Sequence, residues 1–352
     1  MRLLALLLFV VVGSTTALVE VGTPRGYHEE VGISLASKIK ASEDAIISKQ
    51  SRIVGGVIAP LNKHPFLAGL LINFWNIAGT SACGASLLTP DRLLTAAHCW
   101  FDGVNQASQF TVVLGSHFLF SGGQRILTRQ VVPHPQWTPS RLANDVAMIY
   151  LPVQVTFTSS IQPITIPDWH ELGDLFVGNW ATAAGYGLTS DQQTGVSSQT
   201  SVSQVNLQVI TEAQCRAVYG ANFILPSTLC TNGAGGVGVC RGDSGGPLFI
   251  NRGGRRVLIG VSSFVAQNGC QLGYPSAFAR VTSFYSFITQ HMCPLLSPLK
   301  GICLPYGWIG EIPRGPSADW RVLTTADAVG TNGLTCLRAS LKQTLLAFNI
   351  YL

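Results

Sequence analysis

Glycine and proline interrupt this chain too often for long helices to run: 37 glycines and 18 prolines are scattered along its 352 residues. Between them lie short runs rich in Val, Ile, Thr and Ser, side chains that suit a pleated, half-buried strand. Ala85–Leu88, Thr111–Leu114, Val146–Leu151, Val205–Ile210 and Val257–Phe264 are examples, with Gly or Pro near many of their ends. The pattern predicts an all-β fold and rules out a coiled coil. With 47% apolar and only 11% charged residues, the chain is too oily to stay disordered and must bury a large core. One stretch departs from the rule. Phe284, Phe287, Ile288 and His291 recur at helical spacing after Thr282 and Ser283, which can cap a helix start, so a closing helix is predicted. Thr189–Ser203, dominated by Ser, Gln and Thr, reads as a surface loop, and no solenoid or propeller period occurs.

The ends differ from the middle. Met1 and Arg2 precede the apolar run Leu3–Val12, and small residues follow up to Ala17, the form of a secretory signal peptide. The run is far short of the roughly 20 residues that span a bilayer, so an exported protein is expected rather than an anchored one. Residues 18–52 are polar, cysteine-free and weakly patterned, and end at Arg52-Ile53-Val54-Gly55-Gly56, which reads as a removable leader. The domain is read as 53–293. Residues 294–352 carry no recognisable chemistry and are read as an extension of unknown role, either disordered or absent from the working protein. Nine cysteines point to an oxidising compartment. A net charge of +5 with no Lys/Arg stripe gives no support to nucleic acid as a partner. No CxxC pair occurs, so a zinc site is weakly supported.

Three motifs supply the parts of a nucleophilic hydrolase. Thr95-Ala96-Ala97-His98-Cys99 offers an imidazole beside a cysteine. Asn144-Asp145-Val146-Ala147-Met148 offers a carboxylate at the head of an apolar strand, and Gly242-Asp243-Ser244-Gly245-Gly246-Pro247 a hydroxyl within a glycine turn. Singly, His98 reads equally as a core histidine, Asp145 as a turn residue and Ser244 as a loop hydroxyl. Together and in this order they favour catalysis. His28, His64, His117, His134, His170 and His291 lack such context and read as surface or packing residues.

With these motifs and the Arg52–Ile53 junction, Ile53 to about Met292 resembles a chymotrypsin-type serine protease. The resemblance implies two six-stranded antiparallel β-barrels, a C-terminal helix and a catalytic cleft between the barrels. It implies His98, Asp145 and Ser244 as the triad, with the Gly242 and Ser244 N–H groups as oxyanion hole. Cleavage after Arg52 is implied to free the Ile53 amine to pair with Asp243, so an activating trypsin-like protease is an expected partner. The implied disulfides are Cys83–Cys99, Cys215–Cys230 and Cys240–Cys270, leaving Cys293, Cys303 and Cys336 over. By the same correspondence Gly238 floors the specificity pocket, with Ser263, Val265 and Ser276 as walls, and the backbone of Ser263 and Val265 pairs with substrate. An uncharged pocket predicts cleavage after Phe, Tyr or Leu, although the branched Val265 leaves elastase- or collagenase-like specificity open. A non-catalytic homologue acting as a binding module is the rival of another class. No cofactor is implied. The loop Gly115–Ile126 has no Asp or Glu, so no metal is expected there. Peptide and protein substrates, protein protease inhibitors, a monomeric state, and neither nucleic acid nor membrane complete the expectation. Between Ile53 and Cys293 only Lys63 stands against ten arginines. Arginine stays charged where lysine titrates, which suits an alkaline gut lumen like that of the insect larvae whose chymotrypsins this chain resembles.

Overall fold

In the computed structural model the described residues are 18–22, 25–49, 63–187, 202–292, 302–305 and 334–337. The first half of the body is a curled sheet of seven strands: β1 (Leu67–Phe74), β2 (Ser81–Thr89), β3 (Arg92–Thr95), β4 (Ala107–Leu114), β5 (Gln124–Thr128), β6 (Gln130–Pro133) and β7 (Ala147–Tyr150). Their order is β5-β4-β1-β2-β3-β7-β6, so β5 and β6 lie at opposite edges although only Arg129 separates them. The six-stranded expectation becomes seven because Thr128 Oγ1 accepts the Gln130 N–H at 3.1 Å and breaks one long strand in two. Every residue of β2 is buried, which explains why no polar–apolar alternation marks it in the sequence.

The second half closes into a barrel of six strands: β8 (Trp180–Gly185), β9 (Ser203–Ile210), β10 (Thr228–Thr231), β11 (Pro247–Arg252), β12 (Arg255–Phe264) and β13 (Ser276–Arg280), ordered β10-β13-β12-β11-β8-β9. The five strand stretches singled out in the sequence all fall on strands of these two sheets. Among the described residues three α-helices accompany them: α1 (Ile33–Lys49), α2 (Glu212–Tyr219) and α3 (Tyr285–Met292). The closing helix forms, but Thr282 and Ser283 do not cap it. They lie inside a 3₁₀ turn, Val281–Phe284, whose entry at Arg280 has no side-chain cap. Two short strands, β14 (Ile302–Pro305) and β15 (Leu334–Leu337), pair antiparallel in the C-terminal extension, with Cys303 opposite Cys336 in the register. The loop Thr189–Ser203 lies mostly outside the described residues, and its last residue opens β9.

The halves meet where the nucleophile motif crosses β2. Gly84 N–H donates to the Ser244 carbonyl at 2.7 Å, and a Cβ on Gly84 would lie 2.9 Å from the Gly246 Cα. Only glycine allows two backbones so close. Core side chains of both halves, among them Leu87, Leu94, Phe249, Leu258 and Ile288, form one continuous cluster, so the cleft rests on a shared apolar floor.

The leader differs most from its sequence reading. Weak patterning gave no element there, yet His28–Gly32 form a single π-helical turn that runs into α1. Leu35, Ala36 and Ile39 are buried in the same core as the first sheet. That narrow stripe is the helical signal, short because position 43 continues it with a buried glutamate.

Candidate active site

His98 sits in the 3₁₀ turn Ala97–Cys99 directly after β3, and a disulfide from Cys99 to Cys83 on β2 holds that turn in place. Asp145 precedes β7, placed by Asn144 in the left-handed region at φ 62, a conformation asparagine tolerates better than most residues. Both side chains are buried. The Asp145 carboxylate accepts the His98 main-chain N–H through Oδ1 at 2.9 Å and faces His98 Nδ1 through Oδ2 at 2.8 Å. An ionised carboxylate oxygen only accepts, so Nδ1 carries a ring proton, which in the neutral ring leaves the lone pair on Nε2.

The Ser263 hydroxyl donates to the same Oδ2 at 2.6 Å. Sequence reading assigned Ser263 to the pocket wall; its side chain also braces the carboxylate. No local motif surrounds it, so only its buried place on β12 next to Asp145 exposes the role. Removing this charge-assisted bond should let Asp145 rotate. Ser263→Ala is expected to lower kcat/KM about tenfold, roughly 1.4 kcal/mol of barrier, without shifting KM. Steady-state kinetics on the processed protein check it.

Ser244 lies in the Gly-rich turn before β11. Gly245 there has φ 77, and its N–H donates to the Ser262 carbonyl at 2.8 Å, so the turn is pinned to β12. Disulfides Cys240–Cys270 and Cys215–Cys230 fasten the loop that carries Ser244 and the helix α2. Among the described residues His98 Nε2 has no hydrogen-bond partner. The phenol of Tyr27 lines the same cavity as Ser244 and His98, and its buried ring stands edge-on to the His98 ring at 5.2 Å. Burial pushes that phenol up, and the neighbouring Ser244 side chain partly opposes the shift.

Asp243 is buried and accepts the N–H groups of Gly187 and Cys240, each at 3.0 Å. Burial nonetheless lifts its carboxyl from 3.8 to about 6. An acid raised on folding holds its proton longer in the folded chain, so stability falls as pH rises from about 4 to about 6. The loss expected in the uncut precursor is up to roughly 3 kcal/mol. Urea unfolding at pH 4 and pH 7 should show it, and Asp243→Asn should remove it. Arg52 and Ile53 lie outside the described residues.

In the expected pocket, Ser276 Oγ accepts the Val239 N–H at 3.2 Å, and a Cβ on Gly238 would stand 2.8 Å from that oxygen. Gly238 therefore lies against Ser276, in a cavity whose lining also includes Asp243. Val265 is partly buried against the second core. The one compact His/Cys group among the described residues is Cys83, His98 and Cys99, whose two sulfurs are already joined.

A trypsin family model matches residues 53–288. This chain is a member of the trypsin family. As a family member it is a serine endopeptidase. It is 39% identical over 239 residues to brachyurin of Leptuca pugilator, covering 67% of this chain and 96% of that protein. It is 36% identical over 243 residues to a collagenase of Hypoderma lineatum, covering 69% and 88%. A solved structure of HL collagenase overlays with a TM-score of 0.61 at 34% identity, covering 68% of this chain and 98% of that one. The overlay accounts for the two sheets and the short closing helix of this trypsin-family fold. Among the described residues no helix is long and apolar enough to cross a membrane.

Proposed function

We propose that this protease is an exported digestive endopeptidase, made as a zymogen, that cuts after large apolar residues through Ser244, His98 and Asp145. The arrangement of Asp145 around His98, with bonds at 2.9 and 2.8 Å, carries the reading. A serine hydroxyl is a weak nucleophile at neutral pH. His98 Nε2 takes its proton as Oγ attacks the peptide carbonyl, then returns it to the leaving amine. Asp145 holds the tautomer and stabilises the imidazolium. The N–H groups of Gly242 and Ser244 receive the oxyanion.

Processing after Arg52 by a trypsin-like activator frees the Ile53 ammonium, and Asp243 is its partner. A buried carboxylate without a cation is costly, so pairing drives the switch. Support comes from the Asp243 carboxyl, lifted to about 6 by burial alone. Domain limits of 53–293 for the protease, with a signal at 1–17 and a leader at 18–52, follow from this scheme. The working form is a monomer in an extracellular fluid, open to protein protease inhibitors, and its arginine bias suits alkaline conditions.

Specificity follows from Gly238 and Ser276, uncharged and close together. Peptides with Phe or Leu before the scissile bond should exceed the Ala analogue by about tenfold in kcat/KM. A second reading, collagenase- or elastase-like preference, is favoured by the relative named collagenase and by the branched Val265; equal or reversed ranking of the three peptides selects it. For the zymogen, Arg52→Gln precursor should stay silent after trypsin treatment. Full activity in an uncut sample would overturn that part.

A further inference from the structure

The leader crosses the catalytic cleft instead of standing clear of it. It enters as a strand: the Gly22 N–H donates to the Val265 carbonyl at 3.1 Å and the Gln267 N–H to the Glu20 carbonyl at 3.1 Å. That is the stretch just past the end of β12, beginning at Val265, where a substrate strand is expected to add. Tyr27 then reaches the centre, its hydroxyl donating to the Ala82 carbonyl at 2.8 Å and its ring lining the cavity of His98 and Ser244. The group set in the cavity with Ser244 is thus a phenol, which itself offers no carbonyl carbon for attack. Next to it the buried His28 donates its main-chain N–H to Asp102 Oδ2 at 3.0 Å and sets its ring Nδ1 3.0 Å from Ser81 Oγ. Burial pushes His28 down to about 4, so it seats as a neutral ring.

From α1, Leu35 lies over the oxyanion loop: a Cβ on Gly242 would meet its Cδ2 at 2.7 Å. Ala36 and Ile39 continue that contact into the core. One turn on, the buried Glu43 carboxylate accepts the Leu119 and Phe120 N–H groups, the latter at 2.8 Å. Nucleophile, oxyanion loop and substrate edge are thus covered by one segment through buried apolar side chains and matched hydrogen bonds. Residues 18–52 contain no cysteine, so nothing covalent retains the segment once the chain is cut after Arg52.

We infer that residues 18–49 are a reversible, substrate-competitive inhibitor of the processed enzyme, which reaches full activity only when this leader dissociates after cleavage. The inference rests on Ser244 being the nucleophile. Arg25, Lys38 and Lys40 are exposed, so an activator of the trypsin-like class also has sites at which to dismantle the freed leader.

The test uses full-length precursor carrying Lys49→Ile, Gln50→Glu and Ser51→Gly, which places an Ile-Glu-Gly sequence before Arg52 so that factor Xa frees Ile53 and leaves the leader whole. Activity on a Phe peptide anilide and labelling by a serine-directed phosphonate are read before and after gel filtration that strips the leader. The expected result is activity suppressed about tenfold or more in the concentrated cut sample, restored by dilution or stripping, and lost again when synthetic peptide 18–49 is added, with KM rising and kcat unchanged. Tyr27→Ala with Leu35→Asp in the synthetic peptide, where no folding of the protease is at stake, should raise the inhibitory concentration at least about tenfold. Full activity at once on cutting, with the leader eluting apart, overturns the inference. Should the stripped enzyme neither cleave nor label, the hydrolase reading has failed instead. Co-elution of the leader with cut Ser244→Ala protein then decides the docking alone: retention supports it and separation overturns it.

Discussion

Ser244→Ala in the processed enzyme is expected to lower kcat by about a millionfold and to abolish phosphonate labelling. In the proposed mechanism the hydroxyl forms the new bond, and alanine leaves nothing for His98 to deprotonate. The fold should be untouched, because the Ser244 backbone, not its side chain, makes the contact with Gly84. Residual turnover would come from the oxyanion donors and substrate binding alone. Burst kinetics with an active-site titrant give the cleanest measurement. A variant as active as the parent would leave the chain a trypsin-family member whose chemistry resides elsewhere.

The second large effect is Asp145→Asn, expected to cost about ten-thousandfold in kcat at neutral pH, the order for this exchange in proteases of this type. The reason lies in the bonds around the carboxylate. Its oxygens accept three donors, the His98 N–H, His98 Nδ1–H and the Ser263 hydroxyl. An amide offers one acceptor oxygen and two N–H groups. Where its nitrogen faces the ring, Nδ1 must accept and the proton moves to Nε2, the position that has to receive the proton of Ser244. KM should stay within about threefold because the pocket lies elsewhere, and the crystal or solution fold of the variant should match the parent.

The motifs of the proposed triad are legible in the sequence because each is local. His98 stands beside a cysteine, Asp145 heads an apolar run and Ser244 lies among glycines, so a few neighbours identify each. Strand cores were readable for a related reason: Val257–Phe264 is apolar enough to be buried on both faces and is part of β12. What could not be read depends on contacts between distant residues. Ser263 looks like a pocket serine until β12 brings it against Asp145, 118 positions away. Tyr27 and Leu35 carry no motif, and the stripe Leu35-Ala36-Ile39 is too short to stand out among polar neighbours; its burial comes from a surface contributed by residues far along the chain. The start of α3 was misplaced because Thr282 and Ser283 are good capping residues whose hydroxyls are not used that way, the 3₁₀ turn from Val281 having already begun the helix.

His98 and Asp145 hang from one sheet and Ser244 from the other, the two gripping each other through the contact between Gly84 and Ser244. A slippage of about an ångström between these halves would disable proton transfer while leaving each half's hydrogen-bond ladder whole. Turnover is therefore the most sensitive gauge of the seam: under mild denaturant or pressure it should fade ahead of any spectroscopic sign of unfolding, and fragments bearing the separate halves would regain it only on reassociation.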